Sequence, residues 1–330
     1  MNLIDVHTHI SSHAFMDLLA SQGGNVYGRA RDAEGREVVT RNGARFMTLT
    51  EPMFDPAARA ETEDAAGLKI GLLSYTCPNC YWAEGELAET LPRMMNDHLA
   101  EVCANSGGRY RGLASIPLQD TDLALAELER AVDRLGMVGV IILANVNGVP
   151  LDDPRFEPVW NELNRRRLPT LMHPTVPPGD ADMRIGDYGM IAALGFMIDT
   201  TLATLRMVLG GVFERNPDWP LVISHAGATL PFLVGRFDQC HRLIPDVRAH
   251  TPHPPSHYLG RLYYDTVCYE TNALKLAYDL AGPEHLLYGS DFPHNIGDMQ
   301  GCADRISQLD IPAAEKELIR HGNAERIFKL

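Results

Sequence analysis

This sequence of 330 residues contains few lysines and carries no net positive charge. Its only lysines are Lys69, Lys275, Lys316 and Lys329, so arginine supplies most of the positive charge. The formal net charge is −14 and the isoelectric point is near 5.3. This balance argues against nucleic acids and anionic membrane surfaces as general partners. It still permits an anionic small molecule as a partner, because a local metal ion or arginine can override the overall field.

The sequence has no long apolar segment, and its first residues do not show the pattern expected of a secretory leader. No uninterrupted apolar run approaches the length of about 18 residues that a membrane-spanning helix needs, and acidic Asp5 interrupts the apolar start of the chain. The six cysteines are scattered apart from Cys77 and Cys80 in CPNC, and no second C-x-x-C motif follows to complete a zinc site. We therefore expect a cytoplasmic protein with reduced thiols.

Short apolar runs alternate with longer helical patterns along the whole chain. The clearest helical patterns lie at 122–136, 153–167, 199–217, 228–243 and 270–282. Eight runs separated in this way predict eight parallel strands with crossover helices, and eight is the number that closes a (β/α)8 TIM barrel. The runs cover residues 2–6, 69–75, 110–116, 137–143, 169–173, 220–225, 261–267 and 285–291.

The interval between the first two apolar runs is longer than the others. About sixty residues separate the first two runs, and the stretch 23–46 within them is polar, turn-rich and partly alternating. This pattern predicts a small β-rich insertion after the first strand, at approximately residues 22–54, followed by the first outer helix at 55–67. We find no internal repeat and expect a single domain over residues 1–330.

The first run continues into two histidines separated by one residue, in IDVHTHI. Side chains alternate across a strand, so Asp5, His7 and His9 are expected to share one face. We expect this face to point into the barrel, while Ile4 and Val6 face the outer helices. Two imidazoles at i and i+2 on one strand end can bind a single metal ion.

Further groups of the ligand type follow at the ends of later runs. His173 ends the fifth run, His225 ends the sixth and Asp291 ends the eighth. Active sites of barrels lie at this carboxyl end of the strands. These three side chains are therefore predicted to converge with His7 and His9 on one metal ion.

The motifs DVHTH, HPT, SHAG and YGSDFPH together resemble the amidohydrolase superfamily, and within it the aminocarboxymuconate-semialdehyde and γ-resorcylate decarboxylase group. The resemblance implies one divalent ion, zinc or manganese, held by His7, His9, His173 and Asp291, with His225 as the acid/base beside it. The fourth run ends in IILANVNG, without the lysine that binuclear relatives use to bridge two metals.

The resemblance also implies that Arg236 contacts a substrate carboxylate, reaching in from a neighbouring subunit of a homodimer or larger oligomer. Further candidates for substrate binding are Arg45 in the insertion, Trp82 in the loop after the second strand and His294 in the loop after the eighth strand. Asp5 is expected to lie below the metal ion in a supporting role.

The predicted function is that of a metal-dependent, non-oxidative decarboxylase of an aromatic or muconate-type carboxylic acid. Loss of CO2 from an sp2 carbon leaves a high-energy carbanion unless that carbon is first protonated. His225 can donate such a proton at neutral pH, with Asp291 as a second proton carrier. The alternatives are a hydrolase of a lactone or amide, or a hydratase, each using metal-activated water, and a metal-binding barrel without enzymatic activity.

Overall fold

A computed structural model describes residues 2–330 of the chain. An eight-stranded parallel sheet dominates it, and the order of its strands is β1-β5-β6-β7-β10-β11-β12-β13. The strands are β1 (Leu3–Ile10), β2 (Tyr27–Arg31), β3 (Glu37–Arg41), β4 (Ala44–Thr48), β5 (Leu68–Tyr75), β6 (Tyr110–Ser115), β7 (Gly139–Leu143), β8 (Asn145–Val146), β9 (Val149–Pro150), β10 (Thr170–His173), β11 (Leu221–Ile223), β12 (Tyr263–Asp265) and β13 (Leu286–Leu287).

Helices connect successive strands of this sheet and cover its outside, as the alternating pattern predicts. They are α1 (His13–Gln22), α2 (Ala60–Ala66), α3 (Glu86–Asn105), α4 (Thr121–Asp133), α5 (Glu157–Arg166), α6 (Phe196–Leu209), α7 (Val212–Arg215), α8 (Leu230–Leu243), α9 (Pro255–Leu259), α10 (Thr271–Ala281), α11 (Met299–Gln308), α12 (Ala313–Glu317) and α13 (Asn323–Phe328).

Backbone hydrogen bonds between β1 and the segment after β13 bring the two edges of the sheet together. Val6 N donates to Tyr288 O at 3.0 Å and His9 N donates to Phe292 O at 2.7 Å. The predicted (β/α)8 barrel is thus confirmed. The predicted β insertion is also present, as the antiparallel sheet β2-β3-β4 between β1 and β5.

The prediction of strict alternation along β1 was wrong. From Asp5 to Thr8 the strand advances three residues while its partner β5 advances only two, from Gly71 to Leu73, so β1 contains a bulge. One apolar cluster contains residues of almost every barrel strand and of α13, so it lies in the barrel interior. Ile4 and Val6 belong to this cluster. The bulge lets both Val6 and His7 face inward, and it takes Asp5 off that face.

Two helical regions also differ from the predicted pattern. The single helix expected at 199–217 is divided into α6 and α7 at Gly211, whose φ of 72° ends the first helix. The stretch Ile191–Leu209 is apolar and long enough, by length and composition alone, to cross a membrane. Core helices of soluble proteins pass the same test, and Asp199 interrupts this stretch. The longest helix, α3, contains Pro92. Proline usually breaks helices, so the sequence pattern did not predict a helix here.

A buried arginine ties α2 to the strand that carries the two histidines. Arg59 is fully buried and donates from Nη1 to His9 O at 2.6 Å, from Nη2 to Thr8 Oγ1 at 2.6 Å and from Nε to Glu63 Oε1 at 2.8 Å. Glu63 is also fully buried and accepts from Tyr110 Oη at 2.6 Å. This network holds the carboxyl end of β1 in place from outside the barrel.

We expect Arg59→Met to lower the free energy of unfolding by about 3–5 kcal/mol, because Glu63 then keeps only the part-exposed Arg109 as a cation and the buried His9 O loses its side-chain donor. Urea denaturation of the metal-free protein measures this loss. Arg165→Met is the matched control, since Arg165 pairs with Glu162 on the surface and such pairs contribute at most about 1 kcal/mol. Equal losses in the two variants would contradict the structural role of Arg59.

Candidate metal centre

Side chains from four barrel strands meet at the carboxyl end of the barrel. His7 and His9 lie on β1 and His173 is the last residue of β10, whereas His225 and Asp291 lie in the turns that follow β11 and β13. One ligand atom from each of His7, His173, His225 and Asp291 lies within 4.8 Å of the other three. The structure thus brings together all five residues that the sequence predicts at the centre.

The interatomic distances are those of ligands around one ion. His7 Nε2 lies 3.1 Å from His9 Nε2, and these atoms lie 3.3 and 3.2 Å from Asp291 Oδ1. The His173 ring packs edge-on, with centroid distances of 5.2 Å to His7 and 5.0 Å to His9. Atoms bound to one ion at about 2.0–2.2 Å lie about 3 Å apart.

The second ring nitrogen of each of the three histidines is already engaged. His7 Nδ1 lies 2.6 Å from Asp265 Oδ2, His9 Nδ1 lies 3.1 Å from Ser74 Oγ, and His173 Nδ1 donates to Pro174 O at 2.7 Å. A hydrogen on Nδ1 leaves the lone pair of Nε2 free to bind a metal ion. Three imidazole nitrogens and one carboxylate in this arrangement fit a divalent transition-metal ion.

Burial and mutual contact shift the pKa values of these groups in opposite directions. Burial alone would raise the pKa of Asp291, but the surrounding histidines hold it well below its usual range. Burial would lower the pKa of His7, yet hydrogen bonds to Asp265 and Asp291 raise it to about 10. Burial lowers the pKa of His9 to about 3. Strongly perturbed groups gathered in this way are typical of functional sites.

Backbone strain is concentrated on two of the five residues. His225 has φ 57°, its neighbour Ala226 has φ 51° and Asp291 has φ 59°, all in the left-handed region that non-glycine residues avoid. Tertiary hydrogen bonds hold them there, since Ala226 N donates to Asp265 Oδ1 at 2.9 Å and Asp291 N donates to His7 O at 2.8 Å. Strain of this kind is typical of active sites.

A cavity of about 530 Å³ opens above the cluster. It is closed on one side by the insertion and on the other by the segment that follows β10. Phe46, Ile191 and Phe196 give it an apolar wall, and Thr76, His294 and Asn295 provide polar groups. Its size and mixed lining suit a small organic ligand.

Two of the predicted substrate-binding residues line this cavity. Arg45 donates from Nη2 to Thr48 Oγ1 at 2.6 Å and has no carboxylate partner within residues 2–330, whereas Arg41 in the same insertion pairs with Asp180. The His294 ring lies 5.0 Å from the His9 ring and its Nε2 lies 3.0 Å from Thr76 Oγ1.

The other two predicted substrate-binding residues lie elsewhere. Trp82 donates from Nε1 to Asn79 O at 2.8 Å and lines a separate cavity beside Tyr81. Arg236 is exposed on α8 and does not line the cavity of its own chain. The buried thiols of Cys77 and Cys80 belong to no cluster of metal-ligand groups in the described part of the chain.

Sequence reasoning missed Asp265 and Ser74, which contact the Nδ1 atoms of His7 and His9. Asp265 lies two residues before the end of the seventh apolar run and is the last residue of β12, so an acidic residue near the carboxyl end of a predicted strand was the available signal. Ser74 carries no such signal, because a serine next to the end of a strand is common.

Comparisons with known proteins agree with this geometry. The profile of the amidohydrolase family matches residues 4–330. The 2-amino-3-carboxymuconate-6-semialdehyde decarboxylase of Dictyostelium discoideum is 30% identical over 97% of this chain and 90% of that protein. A gamma-resorcylate decarboxylase of Polaromonas sp. is 30% identical over 82% of this chain and 86% of that protein.

A solved structure is similar over the whole chain as well. The dihydroxybenzoic acid decarboxylase of Polaromonas sp., which holds manganese and the inhibitor 2-nitroresorcinol, has a TM-score of 0.82 and 26% identity, and the match covers 100% of this chain and 98% of that one. The predicted resemblance is confirmed, and so is the predicted class of carbon–carbon lyase. The chain belongs to the amidohydrolase family, in the group whose named members are decarboxylases.

Proposed function

We propose that this protein removes CO2, without oxidation, from an aromatic or muconate-type carboxylic acid. The observation that carries the proposal is the position of Arg45, which pairs with no acidic residue in the described part of the chain and lines the same cavity as His173, His225 and Asp291. An arginine can hold a carboxylate through two parallel hydrogen bonds. The apolar wall beside it suits a planar ring or diene.

We propose that His7, His9, His173 and Asp291 hold one divalent ion, Zn²⁺ or Mn²⁺. When bound, the ion would supply positive charge that holds the oxygen atoms of the substrate and orients the substrate toward His225. The three fixed imidazoles present their Nε2 atoms without rearrangement. Elemental analysis of protein purified without added metal identifies the ion.

His225 is placed to deliver the proton. Its Nε2 lies 3.7 Å from Asp291 Oδ2, and its ring lines the cavity. His225 donates a proton to the carbon that bears the carboxylate, the carbon–carbon bond then breaks, and its electron pair returns to the ring as CO2 leaves. One proton is taken up and one CO2 is released, so the product carries hydrogen where the carboxylate was. A proton from solvent then returns to His225 through Asp291, which acts as the proton carrier.

The test is decarboxylation in isotopic solvent. The metal-loaded protein is incubated with a panel of aromatic and muconate-type acids, and the organic product is analysed by mass spectrometry. In deuterium oxide the product is expected to gain one deuterium at the carbon that lost CO2, and in 18O-labelled water it gains no label. A product that carries 18O would instead support a hydrolase or hydratase and overturn the proposal.

We expect Arg45→Met to lower kcat/KM roughly 10–100-fold, mostly through KM, because a charged hydrogen bond to a substrate carboxylate contributes about 1.5–3 kcal/mol. Steady-state kinetics measure this effect. Arg29→Met is the control, since Arg29 lies in the same insertion but pairs with Asp17 and Glu37 on the surface. An unchanged KM in Arg45→Met would remove Arg45 from the substrate site.

We also propose a cytoplasmic homodimer or larger assembly in which Arg236 reaches the cavity of a partner subunit. Phe232 precedes Arg236 by one helical turn on α8 and is 77% exposed, and it borders an apolar groove that also reaches His225. Residues four apart share one face of a helix, so a partner that covers Phe232 also meets Arg236. The six unpaired cysteines fit a reducing compartment.

Mixing two inactive variants tests this arrangement. We expect Arg236→Met and His225→Asn each to be inactive alone, because each breaks a different part of the site. In a mixed dimer, one site combines an intact His225 with an intact Arg236 from the other subunit. Activity should therefore return after subunit exchange, and sedimentation analysis confirms the assembly. A monomeric protein, or no recovery from dimers that do exchange, would overturn the role of Arg236.

A further inference from the structure

Asp265 is a fully buried carboxylate at the end of β12. Its Oδ2 lies 2.6 Å from His7 Nδ1, while its Oδ1 accepts from Ala226 N at 2.9 Å and from Val267 N at 3.0 Å. Both oxygens are therefore engaged. The two backbone N–H groups require an acceptor, and His7 Nδ1 donates to Oδ2 in the tautomer that leaves Nε2 free for a metal ion.

The packing leaves this carboxylate little freedom to turn. Gly289 lies beside it, and a Cβ at this glycine would stand 3.0 Å from both Asp265 Cβ and His7 Cβ. The two side chains are thus in close contact with the same stretch of backbone. The geometry holds Asp265 and His7 in fixed relative positions beneath the cavity.

We propose that Asp265 is a positioning residue with two functions: it fixes the His7 ring with Nε2 toward the metal ion, and it holds the turn that carries His225. The proposal rests on the proposed function, since it takes His7 to be a metal ligand. A proton kept on Nδ1 by Asp265 leaves the Nε2 lone pair available. The hydrogen bond to Ala226 N stabilises a turn in which His225 and Ala226 both have left-handed backbone conformations.

Replacing the carboxylate by an amide changes the contact with His7 but can preserve the contacts with the two backbone N–H groups. In Asp265→Asn the amide oxygen can still accept from Ala226 N and Val267 N, but the amide nitrogen then faces His7 Nδ1 and donates to it. His7 would carry its hydrogen on Nε2, the atom that must bind the ion. Loss of an outer hydrogen-bond partner of this type costs about 10–100-fold in metal affinity.

The experiment measures the dissociation constants of Zn²⁺ and Mn²⁺ by competition with a chelator. We expect Asp265→Asn to weaken binding about 10–100-fold. Glu127→Gln is the control, because Glu127 is also a buried carboxylate but lies on α4, where it accepts from Asn96 Nδ2 and pairs with Arg130. Neither partner belongs to the metal centre, so metal affinity should stay within about twofold.

A double-mutant cycle tests whether Asp265 acts through His7. In the His7→Asn background, Asp265→Asn is expected to change metal affinity less than twofold. An equal loss in both backgrounds would overturn the positioning role, as would full affinity in the single variant. Wild-type protein that binds neither ion would overturn the proposed function itself, before any variant is made.

A measurement on the wild type covers the case in which Asp265→Asn does not fold. Nitrogen-15 and proton spectra of the zinc-loaded protein, labelled at histidine, report which nitrogen of each ring carries hydrogen. We expect one strongly downfield Nδ1–H resonance from His7, as a short hydrogen bond to a carboxylate produces. A His7 ring with its hydrogen on Nε2 would overturn the proposal.

Discussion

We expect His225→Asn to lower kcat by about 10²–10⁴-fold, the range that a positioned proton donor contributes, while the metal content of the protein stays unchanged. The reason is its position, since His225 lines the cavity and its Nε2 lies 3.7 Å from Asp291 Oδ2. Asparagine retains a polar side chain of similar reach but cannot transfer a proton. Single-turnover rates and elemental analysis measure the two quantities.

The control for this prediction is a histidine outside the cavity. His98 lies on α3 and its Nδ1 is 2.8 Å from Tyr75 Oη, so His98→Asn removes an imidazole without touching the centre and should leave kcat within about twofold. A near-normal kcat in His225→Asn would assign the proton to another group. His294 would then be the next candidate, because it lines the same cavity.

The barrel and most of the centre could be predicted because polar residues at the ends of apolar runs are anomalous. His7, His9 and His173 are buried on the strands themselves, so a two-residue period and a count of eight runs sufficed to place them together. The resemblance of the motifs to a known family led to the same residues by an independent route.

What escaped prediction depends on contacts between distant segments. The bulge in β1 arises from its register with β5, and this register decides that Val6, and not Asp5, faces the barrel interior. Asp291 lies four residues beyond β13, whose last residue is Leu287, and reaches the centre because its N–H bonds to His7 O. No local pattern in the sequence shows either pairing.

The substrate-binding residues were the hardest to place for the same reason. Arg45 and Trp82 both lie in segments that follow strands, and both look suited to bind an aromatic acid. Trp82 is instead held by Asn79 O, one turn back along its own loop, whereas β4 carries Arg45 to the cavity. Loop conformation and the docking of the insertion decide between them, and neither follows from periodicity.

The second large effect is expected for Asp291→Asn, which should abolish turnover and weaken metal binding by more than the roughly 100-fold attributed to outer partners. Asp291 Oδ1 lies 3.3 and 3.2 Å from the Nε2 atoms of His7 and His9, so in the proposed metal site it supplies the one carboxylate beside three imidazoles. An amide at this position removes the charge that attracts the ion. Chelator competition and kcat measure the two losses.

The nearby Asp298 provides the control for Asp291→Asn. It caps α11, accepts from Gly301 N at 2.9 Å and pairs with Arg305. Asparagine caps a helix as well as aspartate, so Asp298→Asn should lose only the pair with Arg305, at most about 1 kcal/mol of stability, and no metal affinity. The two roles proposed for Asp291 predict different results. If Asp291→Asn binds metal normally but is inactive, Asp291 is a proton carrier and not a metal ligand. If the variant loses both metal binding and turnover, Asp291 is a metal-binding carboxylate within reach of His225.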